Sequence, residues 1–125
     1  MATFIDASAL TSIIVGEADA ETLAERLNTE PQPVTSAMAL WEAAVAVSRI
    51  KKVGLDDGWA EVERFVDGGG LLVGVIGRPE AAAAIEAYAR YGKGTGHRAK
   101  LNMGDCFAYA CARTNNARLL YKGDD

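Results

Sequence analysis

Three carboxylates stand at positions where a largely apolar chain has little structural use for them. Asp6 ends a short apolar run, Glu42 lies in a stretch rich in Ala, Val, Leu and Trp, and Asp105 opens a later helical stretch. Carboxylate oxygens are the ligands that Mg²⁺ and Mn²⁺ prefer in proteins. If the fold gathers the three side chains, they form a cation site able to position and polarise a phosphodiester and its attacking water.

Each acid also has a purely structural interpretation. An Asp after a strand or at the start of a helix commonly caps that helix, which would explain Asp6 and Asp105 separately. Glu42 is explained if it lies on an exposed stripe, although burying a charged group beside Trp41 without a partner costs free energy. The spacing alone leaves both interpretations open.

Composition limits the classes of protein to which the chain can belong. The 125 residues carry a net charge of −4 and are 50% hydrophobic, which indicates one ordered domain rather than a disordered segment. Bulk attraction to nucleic acid is disfavoured, but a nuclease needs only a local basic rim beside its metal site. There is no apolar run of about 20 residues and no signal sequence, so we expect a cytoplasmic protein.

Sulfur and imidazole chemistry finds little support. Cys106 and Cys111 are five residues apart in a predicted helix, about 140° apart around its axis, so they do not bridge each other easily. His97 is the single histidine, and we leave it outside the catalytic set. Zinc sites of thiolate and imidazole and thioredoxin-like redox chemistry are therefore disfavoured.

Short apolar runs alternate with stretches of helical periodicity along the whole chain. Strands are predicted at 3–6, 34–36, 71–76 and 118–121, and helices at 8–15, 18–27, 37–52, 56–66, 79–91 and 104–114. Strands separated by helices predict an α/β fold with a parallel sheet and right-handed crossovers. The continuous apolar run 71–76 predicts a strand covered on both faces. Trp41 and the other aromatic residues are assigned to the core.

A parallel sheet would bring the acidic residues to one rim, because ligands bind beyond the carboxyl ends of its strands. Asp6 follows the first strand, and Asp124 and Asp125 follow the last. Asp105 begins a helix that packs on the sheet, and Glu42 lies about one turn into the helix after the second strand. Without a cation such carboxylates repel, and at least one is expected to take up a proton.

At these residues the chain resembles PIN-domain proteins, specifically VapC-type toxins of bacterial type II toxin-antitoxin systems. The matching segments follow the family's order over nearly the whole chain: 4–10, 35–42, 91–99, 101–109 and 119–125. The stretch 101–109, Leu-Asn-Met-Gly-Asp-Cys-Phe-Ala-Tyr, is the most specific. The resemblance implies a single PIN-like, Rossmann-like domain over residues 1–125, with helices on both sides of a parallel sheet of four to five strands. The C-terminal tail is expected to be truncated or disordered.

The resemblance further implies an endoribonuclease that depends on Mg²⁺, for which Mn²⁺ substitutes. Asp6 and Asp105 match the principal metal ligands of the family and Glu42 its third acid. Asp124 is the expected fourth acid and Asp125 the fallback. A cognate VapB-type antitoxin and a second copy of the chain, in a homodimer, are the implied partners. The antitoxin's helical tail could occupy a groove between the helices at 18–27 and 37–52.

The glycine-rich segment 92–100 is basic. Lys93, Arg98 and Lys100 are candidates to hold the RNA backbone, although loop solubility explains them equally well. The segment lacks the GxxxxGK[ST] spacing of a phosphate loop, so a nucleotide triphosphate site is not predicted.

Two other functions stay open. One is a PIN-domain nuclease of RNA processing or quality control; an antitoxin-like reading frame directly upstream would favour the toxin instead. The other is a non-catalytic binding module whose acids only cap helices.

Overall fold

The computed structural model describes residues 2–121, and this part of the chain folds into a parallel sheet flanked by helices. Its four strands are Ala2–Ile5 (β1), Gln32–Ser36 (β2), Leu72–Gly74 (β3) and Ala117–Leu120 (β4). Its six helices are Ala7–Val15 (α1), Ala20–Asn28 (α2), Ala37–Lys51 (α3), Leu55–Gly69 (α4), Arg78–Tyr91 (α5) and Met103–Thr114 (α6). The predicted α/β class is confirmed.

The strand order is β3-β2-β1-β4, and every pairing is parallel. In the register, Phe4 of β1 stands between Val34 of β2 and Leu119 of β4. Because β1 lies inside the sheet, Phe4 and Ile5 are fully buried. The carboxyl ends of the parallel strands meet at one edge, so the residues that follow β1, β2 and β4 become neighbours.

Two apolar clusters hold the helices in place. The larger one joins the sheet to α1, α3 and α4 through side chains such as Leu10, Leu40 and Val62. The smaller one lies between α5 and α6 and includes Ala87 and Cys106. Cys106 and Cys111 are buried free thiols, as expected from their angular separation. The packing of α5 on α6 supports the start of α6, where Asp105 lies.

The prediction of a strand covered on both faces at 71–76 is wrong. The strand is only three residues long and lies at the edge of the sheet, where β2 is its partner. Leu71 is buried, but Leu72 is 55% exposed and Val75 is 84% exposed. An apolar run predicts burial only where helices cover the strand, and its composition does not say which strand of the sheet lies outermost.

The assignment of Trp41 to the core is also wrong, since its side chain is 66% exposed. Most residues on the buried side of α3 are small, among them Ala43, Ala44 and Val47, and α1 and α4 pack against this side. Gly58 completes the contact with α4, because a Cβ atom there would overlap Ser48 and the Ala44 carbonyl. With small residues forming the contact, the largest apolar side chain of α3 is left outside.

The helices of residues 2–121 are too short and too polar to cross a lipid bilayer.

Candidate active site

Asp6 is fixed at the carboxyl edge of the sheet by its neighbours. Its N–H donates to the Leu120 carbonyl at 2.9 Å, which extends the pairing of β1 with β4. Its side chain caps α1, because Oδ2 accepts from the Ser8 N–H at 3.4 Å and the Ser8 hydroxyl at 2.8 Å. The capping interpretation is therefore correct for Asp6. A helix N-terminus also favours a negative charge at this position.

Asp105 occupies the first turn of α6. Its Oδ2 accepts from the Asn102 N–H at 3.1 Å, and the Asn102 side chain accepts from the Asp105 N–H at 2.9 Å. This reciprocal capping box satisfies two backbone donors at the start of the helix. Asp105 therefore also caps a helix, while its Oδ1 lies outside the capping box.

Glu42 approaches from the opposite side, one turn into α3. That helix begins at Ser36, whose hydroxyl accepts from the Ala39 N–H at 3.1 Å. The Glu42 carboxylate lies against Gly104 of α6, where any Cβ atom would overlap it. The two helices thus meet at a glycine, and the glycine leaves space for the acid.

The three carboxylates affect one another electrostatically. Burial raises the pKa of Asp6, hydrogen bonds from Ser8 oppose that rise, and the charge of Asp105 adds to it. Burial also raises the pKa of Glu42, with further increases from the charges of Asp6 and Asp105. Neither capping nor an exposed stripe requires three acids from separate elements to repel one another, so helix capping does not explain the whole cluster.

Within residues 2–121, no three Asp, Glu, His or Cys side chains stand in the arrangement of a completed metal site. Asp6 and Asp105 each commit an oxygen to a helix cap, and Glu42 rests on Gly104. The donor set itself, three carboxylates from three elements, fits a hard divalent cation better than a soft one. Their role as metal ligands stays a prediction.

Asp6 stands between two spaces of different size. The space shared with Glu42, Ser36 and Gly104 is a narrow crevice with no room for a water molecule. The space shared with Asp105 is an open cleft of about 850 Å³ whose walls include Arg98 and Tyr109. We call these the closed side and the open side of Asp6.

The fold separates the three predicted RNA-binding residues. Arg98 lines the open side beside Asp6 and Asp105. Lys93 instead lines an apolar groove of about 510 Å³ between α5 and α6, and Lys100 is exposed on the loop. Pairing of Gly92 with Leu101 closes the base of this loop. The RNA-binding role of all three stays a prediction, and Arg98 is the one that lies beside the acids.

Asp124 and Asp125, the expected fourth acid and its fallback, lie outside the described residues.

Sequence reasoning missed two features of the site. Gly104 belonged to the most specific matching segment, but its contact with Glu42 was not foreseen. Tyr109 lies four residues after Asp105 and therefore on the same face of α6, a spacing that could have placed it beside the acids. His97, which we left aside, lines the open side with them.

Comparison with known proteins decides the family. Residues 3–125 match the family model of the PIN domain. The chain belongs to the PIN-domain family. The PIN-like fold that the resemblance implied is confirmed.

Within the PIN domains, the similar proteins are VapC ribonucleases. Ribonuclease VapC42 of Mycobacterium tuberculosis is 35% identical over 121 residues, which is 97% of this chain and 90% of that protein. Ribonuclease VapC of Mycolicibacterium smegmatis is 37% identical over 120 residues, or 96% and 90% of the two chains. The resemblance to VapC-type PIN domains is therefore confirmed.

A solved structure shows the same fold. The crystal structure of VapC20 from Mycobacterium tuberculosis, a sarcin-ricin loop cleaving toxin, superposes with a TM-score of 0.76. It covers 98% of this chain and 91% of its own, at 16% identity. At that identity the likeness supports the PIN fold and not a shared RNA target.

Proposed function

We propose that this chain is a Mg²⁺-dependent endoribonuclease toxin of a type II toxin-antitoxin module, inhibited by a cognate VapB-type antitoxin. The observation that carries the proposal is the meeting of Asp6, Glu42 and Asp105, from three elements distant in sequence, at the edge of the sheet where parallel α/β folds bind ligands. The relatives named above are ribonucleases that match nearly the whole chain, which supports RNA as the substrate.

The position of each acid indicates its role in the proposed reaction. We assign Asp6 and Asp105 to holding the divalent cation, since both carboxylates border the open side, where a phosphate can enter. When bound, the cation supplies positive charge to the phosphate and lowers the pKa of an attacking water. We assign Glu42 as the third acid of the cation site, because burial and the charges of Asp6 and Asp105 raise its pKa and a bound cation would remove that conflict.

Arg98 completes the proposed site on the open side. Three acids repel an RNA backbone, and a guanidinium beside them neutralises a neighbouring phosphate without reading its base. The proposed fourth acid, Asp124, would add to the cation's ligands.

Protein partners belong to the same proposal. Trp41, Ile85 and Met103 are exposed apolar side chains of α3, α5 and α6, and Trp41 and Met103 border a cavity that also includes Glu42. Clustered apolar exposure marks protein contact sites more often than plain surface. It supports homodimer formation or antitoxin contact close to the acids, in a protein we propose to be cytoplasmic.

The test is cleavage of purified RNA with and without Mg²⁺ by the wild type and by Asp6→Asn and Asp105→Asn. Asn preserves a helix cap and removes the charge. The matched control is Asp56→Asn, an exposed acid in the first turn of α4. We expect cleavage to be lost in the first two variants only; Mg²⁺-dependent cleavage retained by either would remove that residue from the mechanism.

A toxin is distinguished from an RNA-processing nuclease in cells. Induced expression of the wild type should arrest growth, and co-expression of the reading frame directly upstream should relieve the arrest. Normal growth with high cleavage activity would favour the processing function instead.

A further inference from the structure

The open side of Asp6 is larger and more aromatic than a site for a phosphate and a cation requires. Its volume of about 850 Å³ lies within the range of roughly 300–1,000 Å³ that is typical of small-molecule clefts. Tyr109, Tyr121 and His97 contribute rings, and Leu101 and Leu119 contribute apolar surface. Carboxylates and cations do not need such walls, whereas a flat, partly apolar ligand does.

We propose that this cleft holds one unpaired nucleobase next to the scissile phosphate, with Tyr109 as its stacking surface. The proposal rests on the proposed function, because it assigns a part of the RNA substrate to that same site. The cleft would thereby select single-stranded RNA, in which a base can turn out and leave its neighbours.

The position of Tyr109 on α6 supports this assignment. Asp105 and Tyr109 are four residues apart on one helix, so they point to the same side at a separation of slightly more than one turn, or about 6 Å along the axis. The tyrosine side chain is 37% exposed, so its ring is accessible to a ligand. A phosphate held at Asp105 would therefore bring the base of an adjoining nucleotide within reach of this ring.

Contacts of His97 hold the loop wall of the cleft in place. The His97 ring contacts Tyr91 edge to face, with 4.9 Å between centroids. Its Nδ1 accepts from the Ala99 N–H at 3.0 Å, which leaves the proton on Nε2. His97 and Arg98 thus line the cleft beside its aromatic residues, and imidazole and guanidinium groups both contact nucleotides.

Charge explains why stacking would matter here. The acids and the net charge of −4 oppose the approach of a polyanion, and a bound cation and Arg98 offset that opposition only close to the acids. Stacking is independent of the charge of the backbone and provides affinity where electrostatics is unfavourable. The apolar groove between α5 and α6 has comparable walls, but none of the three acids lines it.

The experiment uses single-stranded RNA oligonucleotides that span a mapped cleavage position, each with one abasic nucleotide. With the wild type, one abasic position adjoining the scissile bond should lower kcat/KM by roughly 5- to 100-fold, the range expected for loss of one stacked base. Tyr109→Leu should show the same loss with the intact RNA and no further loss with that abasic RNA. Tyr109→Phe, which keeps the ring, should behave as the wild type.

Two controls separate this proposal from the proposed function. Tyr109→Leu should bind Mn²⁺ like the wild type, which shows that the acids are undisturbed. Trp59→Leu, an exposed aromatic on α4 that does not line the cleft, should cleave normally. Two results would overturn the base site and leave the proposed nuclease intact. One is equal cleavage of all abasic RNAs by the wild type, and the other is a further loss when Tyr109→Leu is combined with the abasic RNA. No cleavage of any RNA by the wild type would overturn both.

Discussion

The two sides of Asp6 differ in almost every physical property. On the closed side, Glu42 fits against Gly104 with no room for water. On the open side, Asp105 borders a wide cleft with aromatic and basic walls. The closed side has the packing of a protein core and the open side that of a binding site, although both are built around carboxylates.

The difference shows how one residue can serve two purposes. On the closed side the charged forms of Asp6 and Glu42 are unfavourable, because burial and mutual repulsion raise the pKa values of both groups. The open side gives them access to solvent, cation and substrate. Mutations of the acids or of the closed side should therefore change the chemistry, and mutations of the other open-side residues should change substrate binding.

The largest effect on RNA cleavage should come from the carboxylates that border the open side. Asp105→Asn keeps the capping box and removes the carboxylate, so the fold should persist while cleavage falls by roughly 100-fold or more. Rates under saturating Mg²⁺ measure the loss, and circular dichroism checks the fold. A normal rate in a folded variant would confine Asp105 to capping.

On the closed side, one added methyl group should be enough to lower the cleavage rate. Gly104→Ala places a Cβ atom where the Glu42 carboxylate lies, and that flexible side chain has to move away. We expect cleavage to fall by roughly 10- to 100-fold, the range for disturbed support of a metal site. Thermal stability should change little or rise, because Ala favours a helix over Gly.

Gly68→Ala is the matched control for Gly104→Ala. It lies in α4, and a Cβ atom there meets no neighbour within 4 Å. Its cleavage rate should equal that of the wild type. A Gly104→Ala enzyme with full activity would show that the position of Glu42 does not matter.

A smaller effect is expected from Arg98→Ala on the open side. Removal of one phosphate contact should raise KM severalfold with little change in kcat, and should reduce the salt dependence of RNA binding by about one unit of slope. Arg64→Ala, an exposed arginine of α4, is the control. A change confined to kcat would place Arg98 in the chemistry instead.

The smallest effect is a pH dependence of stability. In the metal-free protein the folded-state pKa values of Asp6 and Glu42 are raised, so the folded state binds protons more tightly than the unfolded state. The free energy of unfolding should therefore rise as pH falls from neutral through those raised values. Saturating Mg²⁺ should reverse the trend, because its affinity falls as the carboxylates protonate.

Asp6→Asn provides the comparison for thermal melts across this pH range. Asn keeps the cap of α1 and has no charge to desolvate, so the metal-free variant should be at least as stable as the wild type at neutral pH. A less stable variant would mean that the carboxylate stabilises the fold rather than straining it.

Much of the fold could be predicted because helix caps, apolar spacing and the direction of the strands all indicate the same arrangement. The helix predicted at 37–52 is observed at Ala37–Lys51, since Ser36 caps its start and the apolar positions recur at helical spacing. The meeting of Asp6, Glu42 and Asp105 followed from strand direction, because parallel strands end at one edge.

The predictions that failed concern which surfaces of the strands and helices pack against each other. The exposure of Leu72 and Trp41 could not be predicted, because hydrophobicity does not reveal the edge of a sheet or the outer face of a helix. The contact of Glu42 with Gly104 depends on how α3 crosses α6. The open cleft depends on a loop and a strand end that are far apart in sequence. None of these relations has a periodic signal along the chain.

The proposed chemistry requires the three acids to bind a divalent cation together. Isothermal titration of Mn²⁺ into the wild type, Asp6→Asn, Asp105→Asn and Asp56→Asn tests this requirement. We predict saturable binding to the wild type and to Asp56→Asn, and its loss in the other two folded variants. Equal binding by all four proteins, or binding by none, would contradict the proposed chemistry.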